Sequence, residues 1–123
     1  MSFINKCSTI IRRSSKDMFY IHLDKGISYN YYDKNNELVF SKRLIKDNSI
    51  DFTNCFFTLN NLDNIYGIYN DGSLKMLTAL SNSSTFTQTE ILKYNSKKFG
   101  ICFPYINVIN NDIHILYYVY NNN

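Results

Sequence analysis

The sequence predicts an all-β protein made of antiparallel four-stranded units, and three observations carry that prediction. First, the 123 residues include 11 Tyr and 9 Phe, whose side chains fit the half-buried surface of a strand. Second, Asn residues cluster between the apolar segments, where they favour turns because Asn tolerates the left-handed conformation. Third, Cys7, Cys55 and Cys102 are 48 and 47 residues apart, which indicates an internal repeat.

The residues around the cysteines support a repeat of about 47 residues. Segment 55–60 aligns with segment 102–107 at an offset of 47, and segment 64–69 recurs at 112–117. Drifts of one or two residues fall in polar turns, where insertions are tolerated. Rare residue types count most in this alignment, because the biased composition produces chance matches of Ile, Asn and Tyr.

Each complete unit is predicted to contain four strands joined by hairpin turns. In the first unit the strands are expected at 7–12, 18–23, 27–32 and 38–44. In the second unit they are expected at 55–60, 65–69, 73–80 and 85–92. A third unit supplies strands at 102–109 and 113–120. Asp71-Gly72 is predicted to form a type I′ turn, and no segment has a sustained helical period.

A four-stranded antiparallel unit of this length is typical of propeller blades. One such sheet cannot cover both of its faces, whereas stacked blades bury them, which would account for the apolar segment 113–120. We therefore expect one β-repeat domain over residues 1–123, with units at 1–50, 51–98 and an incomplete one at 99–123. A β-barrel or a β-sandwich meander is the alternative fold.

The number of units raises a question of closure. About two and a half blades cannot close a ring, and an open array leaves unpaired sheet edges. Three interpretations remain: the chain is the N-terminal part of a larger propeller, several copies assemble, or the strands form the alternative fold. We expect completion by further blades, or self-association.

One segment resembles a known family. Residues 102–109 include Pro104, and a short polar turn leads to Ile113-His114-Ile115. This pattern resembles the first two strands of sialidase-type (BNR-like) propeller blades, and the repeat length is similar to that of tachylectin-type lectins. The resemblance implies a propeller fold and, from the lectins, carbohydrate binding.

The same sequence departs from the sialidase pattern where catalysis is concerned. Segment 70–73 reads Asn-Asp-Gly-Ser, which is part of an Asp box, but the chain has no Trp. Sialidases also use three arginines, and here the arginines are Arg12, Arg13 and Arg43, two of them adjacent. We therefore assign no catalytic residue.

The remaining chemically active side chains are interpreted as structural. His22 and His114 lie in predicted strands, without the spacing of a metal site. The three cysteines form no CxxC motif and recur at the start of the first strand of each unit, so we expect small buried side chains. No metal site and no cofactor are predicted.

Basic residues recur near the connection between the fourth strand of one unit and the first strand of the next. In a propeller such loops share a face, which would attract an acidic protein surface, a phosphate-rich polymer or an acidic glycan. Solvated charge that aids solubility is the alternative interpretation. These residues are Lys42, Arg43, Lys46, Lys93, Lys97 and Lys98.

Charge and hydropathy narrow the functional classes. A net charge of +3 is small for a dedicated nucleic-acid binder. No apolar run is long enough to span a membrane, and no signal peptide is recognisable, so we expect a cytoplasmic protein. The leading hypothesis is a non-catalytic interaction or scaffold module with a protein or glycan partner. A carbohydrate-binding lectin is the alternative hypothesis. A glycoside hydrolase fragment is the third hypothesis and the least favoured, because glycoside hydrolysis needs a pair of carboxylates.

Overall fold

A computed structural model describes residues 8–23 and 25–121, and in this part of the chain all regular structure is β. Ten strands follow one another along the sequence. They are β1 (Ser8–Arg12), β2 (Met18–Leu23), β3 (Gly26–Tyr32), β4 (Leu38–Lys46), β5 (Cys55–Leu59), β6 (Ile65–Asn70), β7 (Ser73–Ala79), β8 (Thr87–Lys93), β9 (Phe99–Ile109) and β10 (Asp112–Asn121). No helix of a length and hydropathy suited to crossing a membrane occurs in the described residues.

The strands form two four-stranded antiparallel meanders and one hairpin. The first sheet has the order β1-β2-β3-β4, the second has the order β5-β6-β7-β8, and β9 pairs with β10. These blade-like sheets confirm the predicted fold class. The chain divides into two compact units, Met1–Phe52 and Thr53–Asn123, and the predicted single domain over 1–123 stays a prediction.

All ten predicted strands are present, with differences at their ends. The largest difference is in β9, which begins at Phe99 instead of residue 102. Cys102 therefore lies inside its strand, whereas Cys55 opens β5. Both pair with a tyrosine on the following strand, Cys55 with Tyr69 and Cys102 with Tyr118. Cys7 lies outside the described residues.

The first sheet buries one aromatic face because apolar residues alternate along its central strands. Phe19 on β2 and Tyr29 on β3 are fully buried, and their ring centroids lie 5.7 Å apart. Tyr31 stacks on Phe40 of β4 at 5.5 Å. The residues between them must point to the opposite face, which carries the candidate site described below.

Two hairpin turns repeat one backbone geometry at an offset of 47. In the first-unit turn (residues 13–17), the Arg13 N–H donates to the Asp17 carbonyl at 3.1 Å; in the second-unit turn (residues 60–64), the Asn60 N–H donates to the Asn64 carbonyl at 3.0 Å. The fourth residue of each turn has positive φ, 72° at Lys16 and 62° at Asp63. The β3–β4 turn has the same geometry, since the Asp33 N–H donates to the Glu37 carbonyl at 2.9 Å and Asn36 has a φ of 63°. The repeated feature is therefore the four-stranded sheet, and this turn is a common hairpin connection within it.

The predicted type I′ turn at Asp71-Gly72 is wrong. Gly72 has a φ of 109°, but Asp71 is not among the residues with positive φ. Side-chain acceptors direct this turn, because the Asn70 amide oxygen accepts from the Gly72 N–H at 3.2 Å. Asn110 and Asn111, with φ of 51° and 70°, have the pair of positive φ angles that a type I′ turn requires.

The β9–β10 hairpin packs against the second sheet within the second compact unit. Ile68 and Leu74 of that sheet form one buried cluster with Ile101 and Ile106 of β9. A polar contact accompanies this packing, since the amide of Asn70 donates to the Ile101 carbonyl at 2.8 Å. One blade-like sheet thus covers another here.

Segment 113–120 is not buried, contrary to expectation. Leu116 and Tyr118 of β10 are 67% and 69% exposed. The physical reason is that, within residues 8–23 and 25–121, the second sheet packs against β9 and not against β10, so most side chains of β10 have no layer over them.

Two glycines lie under aromatic rings of their cross-strand partners. Gly67 pairs with Phe57, and Gly100 pairs with Tyr120. A Cβ atom at either glycine would lie 2.3 Å from the nearest ring carbon. Each ring therefore occupies the space that a side chain would need.

Candidate functional site

The candidate site is on the face of the first sheet opposite its aromatic core. In the ladder, His22 of β2 pairs with Ser28 of β3, which pairs with Arg43 of β4. Two residues after Ser28 on β3, Asn30 pairs with Ser41 of β4. Because alternate residues of a strand share a face, the register brings these five polar side chains together.

A pocket of about 240 Å³ opens among these residues, and we call it the sheet-one pocket. This volume is below the range typical of drug-sized ligands, so it suits a small group such as a phosphate, a sulfate or part of a sugar. Its lining residues are His22, Ser28, Tyr29, Asn30, Ser41, Lys42 and Arg43.

The charge of the pocket is positive. Arg43 supplies the cation on this face, whereas Lys42 pairs with Tyr29 and therefore has its side chain on the opposite face. None of the described lining residues is Asp or Glu. The Arg43 Nη1 atom donates to the Lys25 carbonyl at 3.4 Å, a long contact that leaves a guanidinium with further N–H donors. The pocket can therefore offer a planar cationic fork to an anionic group.

The uncharged lining complements this cation. Ser28 is buried, and the hydroxyl and amide groups of Ser28, Asn30 and Ser41 supply short donors and acceptors. Burial raises the pKa of Tyr29 to about 12, because its ring lies in the aromatic core on the other face of the sheet. Beside the pocket, the rings of Tyr20 and His22 lie with centroids 5.4 Å apart.

The predicted basic residues are in strands more often than in loops, which corrects their expected location. Lys42 and Arg43 lie inside β4, and Lys46 is its last residue. The β4 segment continues two residues beyond the predicted end because Gly26 and Ile27 extend the β3 pairing to Lys46 and Ile45. Lys42 and Arg43 line the sheet-one pocket.

The second basic set belongs to the second compact unit. Lys93 is the last residue of β8, and its Nζ atom lies 3.9 Å from a carboxylate oxygen of Glu90. Lys97 and Lys98 are exposed in the turn between β8 and β9. A common face for the two basic sets stays a prediction.

The other side chains considered from sequence have different surroundings. His114 lies on β10 opposite Asn107 and is exposed. Cys55 is buried, and Cys102 is partly buried. Within the described ranges, no group of three or more His, Cys, Asp or Glu residues has the arrangement of a metal site.

Sequence reasoning missed Ser28, Asn30, Ser41 and the involvement of His22. Their signal is the alternation in β3, where Ser28 and Asn30 interrupt the apolar residues Ile27 and Tyr29. Polar residues at alternate positions of a central strand indicate a functional or solvated face.

No protein family, no curated protein and no solved structure matches this chain. The proposal below therefore depends on the geometry of the sheets and the pocket.

Proposed function

We propose that the chain is a non-catalytic binding module of propeller-type sheets, and that the sheet-one pocket takes an anionic group of a protein or glycan partner. The observation that carries this proposal is the lining of the pocket. It combines the guanidinium of Arg43 with hydroxyl and amide groups, and no described lining residue is acidic.

The chemistry of arginine favours an anion with two acceptor oxygens. A guanidinium donates two parallel hydrogen bonds to a carboxylate, phosphate or sulfate. The hydroxyls of Ser28 and Ser41 replace part of the solvation that the anion loses on binding. The pocket lies on the face of a sheet, which suits recognition of a group presented by a larger partner.

A lectin that binds acidic sugars is the second candidate. The Tyr20 and His22 rings lie next to the amide of Asn30, and sugar recognition commonly combines ring faces with hydrogen-bonding groups. The resemblance of segment 102–118 to sialidase-type blades, and of the repeat length to tachylectin-type lectins, is consistent with this candidate. Hydrolysis of a glycoside needs two carboxyl groups, which the described lining does not supply.

Titration calorimetry tests the proposal with three probes: inorganic sulfate, sialic acid and neutral galactose. We expect heat of binding from sulfate and from sialic acid. In the Arg43→Gln variant the affinity for both anions should fall about tenfold or more, because hydrogen bonds between charged groups are strong. Lys46→Gln is the matched control, because it removes a charge from the same strand outside the pocket lining.

Three results distinguish the alternatives. Binding of sialic acid that is much tighter than binding of sulfate favours the lectin. An equal loss in Arg43→Gln and Lys46→Gln contradicts a defined pocket, because it indicates diffuse attraction by net charge. Absence of binding by either anion at millimolar concentration contradicts the proposal.

A further inference from the structure

Strand β10 leaves apolar side chains exposed on both of its faces. Val119 and Tyr120 are 58% and 50% exposed, in addition to Leu116 and Tyr118. Leu116, Tyr118 and Tyr120 lie on one face, and Ile113, Tyr117 and Val119 lie on the other, because side chains alternate along a strand. This strand is in the second compact unit and is independent of the sheet-one pocket.

β10 lacks the charged side chains that protect one edge strand in each of the two four-stranded sheets. The edge strand β4 carries Lys42, Arg43 and Lys46, and the edge strand β8 carries Glu90 and Lys93. Such charges discourage pairing with another chain. From Ile113 to Asn121, β10 has no Asp, Glu, Lys or Arg, so it is suited to a strand partner.

The position of β10 in its unit leads to the same conclusion. Its equivalent in the second sheet is β6, which is hydrogen-bonded to β5 on one side and to β7 on the other. The bulge in the β9–β10 ladder sets Phe103 and Pro104 of β9 against Tyr117. The extra residue is thus on β9, and β10 keeps a regular outer edge for pairing.

We propose that β10 pairs antiparallel with β10 of a second copy of this chain about a twofold axis. The pairing completes a four-stranded sheet, β9-β10 followed by β10-β9 of the second copy, which equals the strand number of the other two sheets. A twofold interface is self-complementary, and an antiparallel strand pair satisfies that symmetry.

Charge placement fits this symmetric pairing. With the twofold axis between Leu116 and Tyr117, Asp112 lies opposite Asn121 of the second copy, and His114 lies opposite Val119 of the second copy. No two like charges meet in this register. Apolar side chains line the rest of the pair, and cross-strand contacts between aromatic and branched residues stabilise sheets.

Sedimentation velocity tests the proposal on the 123-residue chain. We expect the wild-type protein to sediment at twice the mass of 14.5 kDa at micromolar concentration. Leu116→Lys should raise the dissociation constant by about tenfold or more, because a lysine in the pair must be desolvated. Leu38→Lys is the matched control: Leu38 is 55% exposed on the edge strand β4 and should leave the dimer intact.

Hydrogen exchange provides a second measurement that does not depend on a variant. The amides of β10 should become more protected as the protein concentration rises. A monomer at all concentrations overturns the proposal, and so does an equal effect of Leu116→Lys and Leu38→Lys. Protection of the β10 amides in a monomer would mean that another segment pairs with the free edge. A broad distribution of larger species would mean that the edge causes aggregation. Both results contradict the twofold pair.

Discussion

The first-unit turn and the second-unit turn have the same backbone and different side-chain chemistry. In the first-unit turn, Arg13 donates to the carboxylate of Asp17 through Nε at 3.0 Å and through Nη2 at 2.5 Å. In the second-unit turn, the amide oxygen of Asn60 accepts from the backbone N–H of Asn64 at 2.9 Å. The comparison shows that one backbone geometry can be stabilised by different side chains at equivalent positions of the two units.

The two turns also differ in burial and charge. The side chains of Arg13 and Asp17 are 2% and 9% exposed, and the Arg13 guanidinium lies 4.8 Å from the ring centroid of Phe19. Burial by itself would raise the pKa of Asp17, but hydrogen bonds from Arg13, Tyr31 and Ser15 outweigh it and hold the pKa below its usual value. The first-unit turn therefore depends on a buried ion pair, and the second-unit turn does not.

Removal of the arginine should have the largest effect. Arg13→Met leaves the Asp17 carboxylate buried without its charged partner, and we expect the free energy of unfolding to fall by about 3–5 kcal/mol. Urea unfolding measures this change. The double variant Arg13→Met/Asp17→Leu is the control and should recover part of the loss, since no charge remains buried. A loss below about 1 kcal/mol in Arg13→Met would contradict the assigned role of the pair.

Acid should have the second-largest effect, because it removes the stability that the first-unit turn contributes. Because the pKa of Asp17 is lowered by folding, its contribution is complete above the ordinary value of 3.8 and is lost as the pH falls through the folded value. Urea midpoints measured from neutral pH down to strong acid should therefore fall more steeply for the wild type than for Asp17→Asn. Parallel pH profiles for the two proteins would show that Asp17 is not responsible.

Loss of the tyrosine hydroxyl should have a smaller effect in the same turn. The Tyr31 hydroxyl donates to Asp17 at 2.7 Å, and Tyr31→Phe keeps the ring that stacks on Phe40. We expect the free energy of unfolding to fall by about 1.5 kcal/mol, the lower end for a hydrogen bond to a charged group. Tyr32→Phe is the matched control on the neighbouring residue and should change stability little.

The smallest effect is expected in the second-unit turn. Asn60→Ala removes the amide oxygen that accepts from the N–H groups of Leu62 and Asn64, and we expect a loss of about 1 kcal/mol. The loss should be the same at neutral and acidic pH, because no titratable side chain is removed. A pH-dependent loss measured by urea unfolding would contradict the neutral character of this turn.

The strands were predictable from sequence because alternation and turn residues are local signals. The strands of the two complete units follow from segments rich in aromatic and β-branched residues, with alternation clearest in β3, and from the polar turn residues between them. The equivalence of the two turns was not visible in the same way. Arg13 corresponds to Asn60 and Asp17 to Asn64, and these pairs share a backbone position without sharing chemistry.

The sheet-one pocket was predictable only in part. Lys42 and Arg43 were recognised as basic, but their neighbours come from other strands through the ladder register. The pairing of β3 with β4 includes a bulge between Ile27 and Ser28. The bulge depends on non-local pairing, and it shifts the later partners on β4 by one residue. The exposure of β10 was also unpredictable, because an apolar strand looks the same in sequence whether or not another strand covers it.

The glycine under Phe57 limits how this chain can evolve. A substitution at Gly67 places a new carbon 2.3 Å from the ring of Phe57, which is buried, so the change needs a smaller partner across the ladder at the same time. The half-exposed ring of Tyr120 can instead move away from a side chain at Gly100. In related sequences, positions 57 and 67 should vary together or not at all.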